Sequence, residues 1–124
     1  MEFFKIINVR TTEDEIQKNI TFPNLEDYCA SIFVISSTNH IATTGTAWGE
    51  FTFQKDNING GLRFSLLECP NALAFTITTS YPAEPDKIVF HLTVNKLEPD
   101  AVFIEEIKEF IEEWKIGIEE NFEF

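Results

Sequence analysis

Two histidines, two cysteines and a dense run of glutamates are the side chains of this 124-residue chain that could do chemistry. Acyl transfer by a nucleophile needs a Ser or Cys held within reach of an imidazole. His40 lies in the polar segment "SSTNH" and His91 in the alternating segment "KIVFHLTV". Neither placement brings a nucleophile to the ring by sequence spacing, so both read as structural or surface histidines. Cys29 and Cys69 form no CxxC pair, and no His/Cys/Asp/Glu cluster has the spacing of a zinc site. In "ECPNALAF", Cys69 opens a turn beside the acid Glu68 and with no adjacent base, which suits a structural cysteine better than a reactive thiol. "INGG" is a turn that lacks the lysine and glycine spacing of a phosphate loop. No catalytic residue, cofactor or metal is therefore expected.

The glutamates are the remaining chemistry. "FIEEIKEFIEEWKIGIEE", Phe103 to Glu120, sets seven glutamates against two lysines. They lack the glycine and alternating oxygen ligands of a calcium loop, and helical periodicity turns them outward, away from any cleft where paired carboxylates could cut a glycosidic bond. Two uses remain: a solvated face that keeps the chain soluble, or a docking face for a positively charged partner. On the docking reading, Glu105, Glu109 and Glu112 lie opposite the apolar stripe, with Glu106 and Glu113 flanking them. Trp48 joins this candidate set. Alternation along "TAWGEFTFQ" puts it with Glu50, Thr52 and Gln54 on the polar side of a strand. There it is either covered by the terminal helix or the N-terminal segment, or exposed as an aromatic anchor.

The elements that would carry these residues follow from periodicity. "EFFKIINV" reads as a strand, and Thr12 with Glu15 caps a brief helix over "EDEIQKN". In "NLEDYCASIFVIS" the apolar spacing is first helical and then β-branched, which predicts a helical turn after Pro23 leading into a strand. "TAWGEFTFQ" and "LRFSLLE" form a hairpin across the turn "KDNINGG", with Leu62, Phe64 and Leu66 inward. "NALAFTITTSY" buries Leu73, Phe75 and Ile77, "YPAEPD" turns, and "KIVFHLTV" buries Ile88, Phe90, Leu92 and Val94. A terminal helix capped by Asp100 carries the stripe Phe103, Ile107, Phe110, Ile111 and Trp114, and Gly117 is expected at its end. Burial of each large side chain contributes about 1.5–3 kcal/mol, against a few tenths for each like-charge pair on the outer face, so the acids do not melt the helix. The expected fold is a single α+β domain over 1–124: a curved, mostly antiparallel sheet of about five or six strands with a long C-terminal helix on one face.

Composition bounds the partner. A net charge of −12 disfavours nucleic acid and anionic membrane surfaces. Ten acids and two lysines between Glu98 and Phe124 place −8 of that charge in the last 27 residues. Thirteen phenylalanines and 44% apolar residues suffice for one core. The N-terminal "MEFFKIINVR" has neither the basic start nor the long apolar run of a signal peptide, and no stretch approaches a membrane span, so a cytoplasmic monomer or weak dimer is expected.

In size, acidity, cysteine poverty and lack of a catalytic constellation, the chain resembles the small acidic immunity proteins of bacterial contact-dependent and related polymorphic toxin systems. That resemblance implies a non-enzymatic protein that neutralises a cationic toxin domain, commonly a nuclease, by direct binding. Two other classes stand beside it. A small ligand- or lipid-binding α+β module would use a Phe-rich cup between sheet and helix, and a phage-type nucleic-acid mimic would space its carboxylates along an elongated surface.

Overall fold

The computed structural model describes residues 1–79, 87–95 and 100–122. Seven strands form one antiparallel sheet: β1 (Glu2–Ile7), β2 (Phe33–Ser37), β3 (Ile41–Thr46), β4 (Gly49–Ile58), β5 (Gly61–Leu66), β6 (Ala74–Thr79) and β7 (Ile88–Thr93). Their order is β1-β7-β6-β5-β4-β3-β2, so β2 through β7 run as a meander and the first strand closes against the last. Two short helices, α1 (Glu13–Asn19) and α2 (Leu25–Tyr28), with a 3-10 turn at Phe22–Asn24, fill the connection from β1 to β2, and α3 (Ala101–Asn121) ends the fold. The architecture is the α+β sheet with a long terminal helix that the alternation predicts, with seven strands rather than five or six. The uncounted strand is β3, "IATTGT", whose threonines and glycine give little apolar alternation.

The inward rows are those read from the sequence. Leu62, Phe64, Phe75, Ile77, Ile88, Phe90 and Leu92 are all buried in one core with Ile107, Phe110 and Trp114 of α3. The rings interlock: Phe75 lies 5.2 Å from Phe90, 5.4 Å from Trp114 and 5.5 Å from Phe110, and Phe64 lies 6.1 Å from Trp114. Edge-to-face and offset contacts at such spacings stabilise the core beyond area burial alone, by about 0.5–1.5 kcal/mol for each good pair. Both predicted caps form. The Thr12 side chain accepts from the Glu15 backbone N–H at 3.2 Å, and the Asp100 carboxylate accepts from that of Phe103 at 2.8 Å.

Three expectations are corrected. "TAWGEFTFQ" is not one strand: Ala47 and Trp48 form the β3–β4 turn, and Gly49, with φ +116°, starts β4. "KDNINGG" is not one turn either, because β4 continues to Ile58 and only Asn59–Gly60 turns the chain into β5. Gly117 does not end α3, which runs a further turn to Asn121. Gly117 is buried inside the helix, and a Cβ there would overlap the backbone carbonyl of Tyr28, so its role is to let α2 approach α3 closely. The predicted turn "YPAEPD" lies outside the described residues.

Candidate functional site

Core packing fixes the rotation of α3 and therefore which side chains it shows to solvent. With Ile107, Phe110, Ile111, Trp114 and Ile118 buried, the opposite stripe carries Val102, Glu105, Glu109, Glu112 and Ile116, all exposed and spaced three or four residues apart. Three of the predicted docking carboxylates thus do share one face. Glu105 reaches Lys108 on its own helix at 3.6 Å, and Glu112 reaches Lys5 of β1 at 3.4 Å. Contacts this exposed are worth little and leave the carboxylates available to a partner. Sequence reasoning overlooked the two apolar ends of the stripe, Val102 at 68% exposure and Ile116 at 47%. The signal was available, since both fall in register with the acids.

The flanking glutamates are placed differently. Glu106 is half-buried, and Glu113 is drawn toward the α2–β2 connection. There the Ser31 hydroxyl donates to the Glu113 carboxylate at 2.6 Å and the Cys29 thiol lies 3.4 Å from the same oxygen. Burial, reinforced by the Glu113 charge, pushes the Cys29 thiol up to about 12. It therefore stays protonated at physiological pH and is a poor nucleophile.

Trp48 is half-buried, partly covered by the terminal helix. The ring packs under α3, 5.3 Å from Phe110 and 5.9 Å from Phe103, with its indole N–H buried and without a hydrogen-bond acceptor among the described residues. Its position in a turn, not on the strand, takes it out of the alternation that assigned it to the polar side.

His91 stacks on Phe4 at 4.2 Å with its Nε2 3.2 Å from Glu2, and His40 is exposed in the β2–β3 turn. Among the described residues no group of three or more His, Cys, Asp or Glu could hold a metal, and no helix is long and apolar enough to cross a membrane.

A second feature went unread in the sequence. A cleft of about 530 Å³ opens between Thr21–Pro23, the β2–β3 turn at Ser37–His40 and the end of β4 at Lys55–Asn57. Lys55 follows Phe51 and Phe53 on the inward row of β4, where alternation calls for an apolar side chain. Its ammonium donates to the carbonyls of Gln17 at 3.0 Å and Ile20 at 2.7 Å, and burial pulls its pKa down.

No protein-family model and no curated protein matches the sequence. Among solved structures, the chain is similar to one described as a START superfamily protein from Mycobacterium smegmatis, with a TM-score of 0.62 and 12% identity. The alignment covers 98% of this chain and 96% of that one, so the likeness spans the whole fold, and at this identity it concerns the fold alone.

Proposed function

We propose that the chain is a non-enzymatic binding protein that docks a basic protein on the outer face of α3, as an immunity protein would capture a cationic toxin domain. The observation that carries the proposal is the stripe itself: Glu105, Glu109 and Glu112 bracketed by the exposed apolar side chains Val102 and Ile116. Clustered charge of one sign steers an oppositely charged partner and raises the association rate, while apolar contacts that exclude water set the residence time. On this reading the protein acts in the bacterial cytoplasm as a monomer or weak dimer, and Val102 and Ile116 take the anchoring part, since Trp48 is half-buried against Phe103 and Phe110.

The competing classes fit less well. An interior ligand would need the space between α3 and the sheet, where Phe53, Phe64, Phe75, Phe90, Phe110 and Trp114 already pack ring against ring. A nucleic-acid mimic would space its carboxylates along an elongated surface, whereas seven of the 21 acids here cluster on α3.

The test is surface plasmon resonance against the C-terminal domain of any large secreted protein encoded immediately upstream of this chain. The Val102→Ser, Ile116→Ser double variant should dissociate about tenfold or more faster with little change in association rate. Absence of binding by the unmodified protein would overturn the proposal.

A further inference from the structure

We infer that the cleft between Thr21–Pro23, the β2–β3 turn and the end of β4 binds a small hydroxyl-rich monocarboxylate, with the Lys55 ammonium as its anchor. This goes beyond the docking reading and shares no residue with the outer face of α3. The cleft, at about 530 Å³, falls within the roughly 300–1,000 Å³ range of small-molecule sites.

Charge is the main argument. In a chain of 21 acids, a half-buried lysine would be expected to sit beside one of them. Lys55 instead meets only the neutral carbonyls of Gln17 and Ile20, and no carboxylate pairs with it among the described residues. An ammonium has three donors and the two carbonyls take two, so one is left without a partner among the described residues on a side chain that lines the cleft. A partly desolvated cation with no counter-charge gains more from an arriving carboxylate than a surface lysine does, because less water screens the pair. The one acid in the lining, Asp56, already accepts from Gln54 Nε2 at 3.0 Å.

The walls supply the rest of the recognition. The side chains of Ser37, Asn39, His40 and Asn57 line the cleft and make no hydrogen bond to another described residue. Their backbone is nonetheless held. Thr38 N–H donates to the Ile41 carbonyl at 2.8 Å, and Lys55 N–H donates to that of His40 at 2.7 Å. Hydroxyl and amide groups on a fixed turn suit a ligand rich in hydroxyls, and Phe22 and Pro23 give it an apolar wall. A single carboxylate suffices for Lys55, whereas a multiply charged anion such as phosphate would be repelled by the net −12 of the chain.

D-glucuronate is the probe, with D-glucose as its counterpart lacking the carboxylate, each titrated into the full ¹⁵N-labelled chain. The expected result is saturable amide shifts confined to Thr21–Asn24, Ser37–His40 and Lys55–Asn57 with glucuronate, and much weaker ones with glucose. Lys55→Met should weaken glucuronate at least tenfold by removing a charge-assisted hydrogen bond. Asn57→Asp places a negative charge at an exposed position of the lining without touching the core and should weaken glucuronate by a larger factor than glucose, so it decides the matter if Lys55→Met does not fold. The inference is overturned by absence of shifts at millimolar glucuronate, by equal shifts with glucose, or by glucuronate binding that survives both substitutions.

Discussion

Gly117→Ala separates the two explanations of a glycine inside α3 by the sign of its effect. In a solvent-facing helix, replacing glycine with alanine adds about 1 kcal/mol of stability, because alanine loses less backbone freedom on folding. At Gly117 the new methyl would overlap the Tyr28 backbone, and a backbone carbonyl cannot swing aside as a side chain can. Restoring van der Waals separation requires α2 to retreat from α3 by on the order of an ångström. That retreat loosens the Tyr28–Trp114 stack at 6.3 Å and stretches the 2.8 Å hydrogen bond from Asn121 Nδ2 to the Asp27 carbonyl. Overpacking of this kind costs about 1–3 kcal/mol and occasionally more. Set against the helical gain, the net result is a loss of up to about 2 kcal/mol, or a fall of up to roughly 8 °C in Tm for a domain of this size. Circular dichroism melts of Gly117→Ala and of the exposed control Glu109→Ala would measure it. A rise in Tm for Gly117→Ala would refute the close-approach argument and leave Gly117 an ordinary mid-helix glycine.

Other consequences follow from the same contacts. Trp114→Ala empties the centre of the aromatic cluster and should cost about 3–5 kcal/mol in urea unfolding; a loss below about 1 kcal/mol would mean that α3 does not seat as described. Cys29, buried and held protonated, should resist a thiol reagent at pH 8 until the protein is unfolded, whereas half-buried Cys69 reacts in the native state; rapid labelling of two thiols in the folded protein would contradict this. Moderate sodium chloride should raise the urea midpoint by screening the charge on α3, and a midpoint that falls would show the acids to be internally paired.

What the sequence reveals depends on whether a residue's environment is local. Strand faces such as Leu62, Phe64, Leu66 and the α3 stripe are legible because their period matches the element that buries them. The caps at Thr12 and Asp100 are legible because each side chain bonds a backbone group three residues away. Trp48 was unreadable because alternation holds only within a strand, and the turn at Ala47–Trp48 resets the parity. Gly117 has the same local signature whether it ends a helix or admits a neighbour, and only the approach of α2 distinguishes them. Lys55 sits beside Asp56 and Asn57, which makes it look like turn polarity until the pairing of β4 with β5 carries the strand past it. For the acidic face, composition supplied the charge, but burial on the far side of α3 was needed to separate exposed Glu105, Glu109 and Glu112 from Glu113, which is tied to Ser31.

The proposed docking role of that face is tested most directly by replacing Glu105, Glu109 and Glu112 together with glutamine and following association with a cationic toxin domain over a range of salt concentrations. Steering charges act on encounter, so the account predicts association slowed by about tenfold or more at low salt, a flattened salt dependence, an unchanged dissociation rate and an intact fold by circular dichroism. An association rate and salt dependence equal to those of the unmodified protein would contradict it and leave the glutamates as a solvated surface.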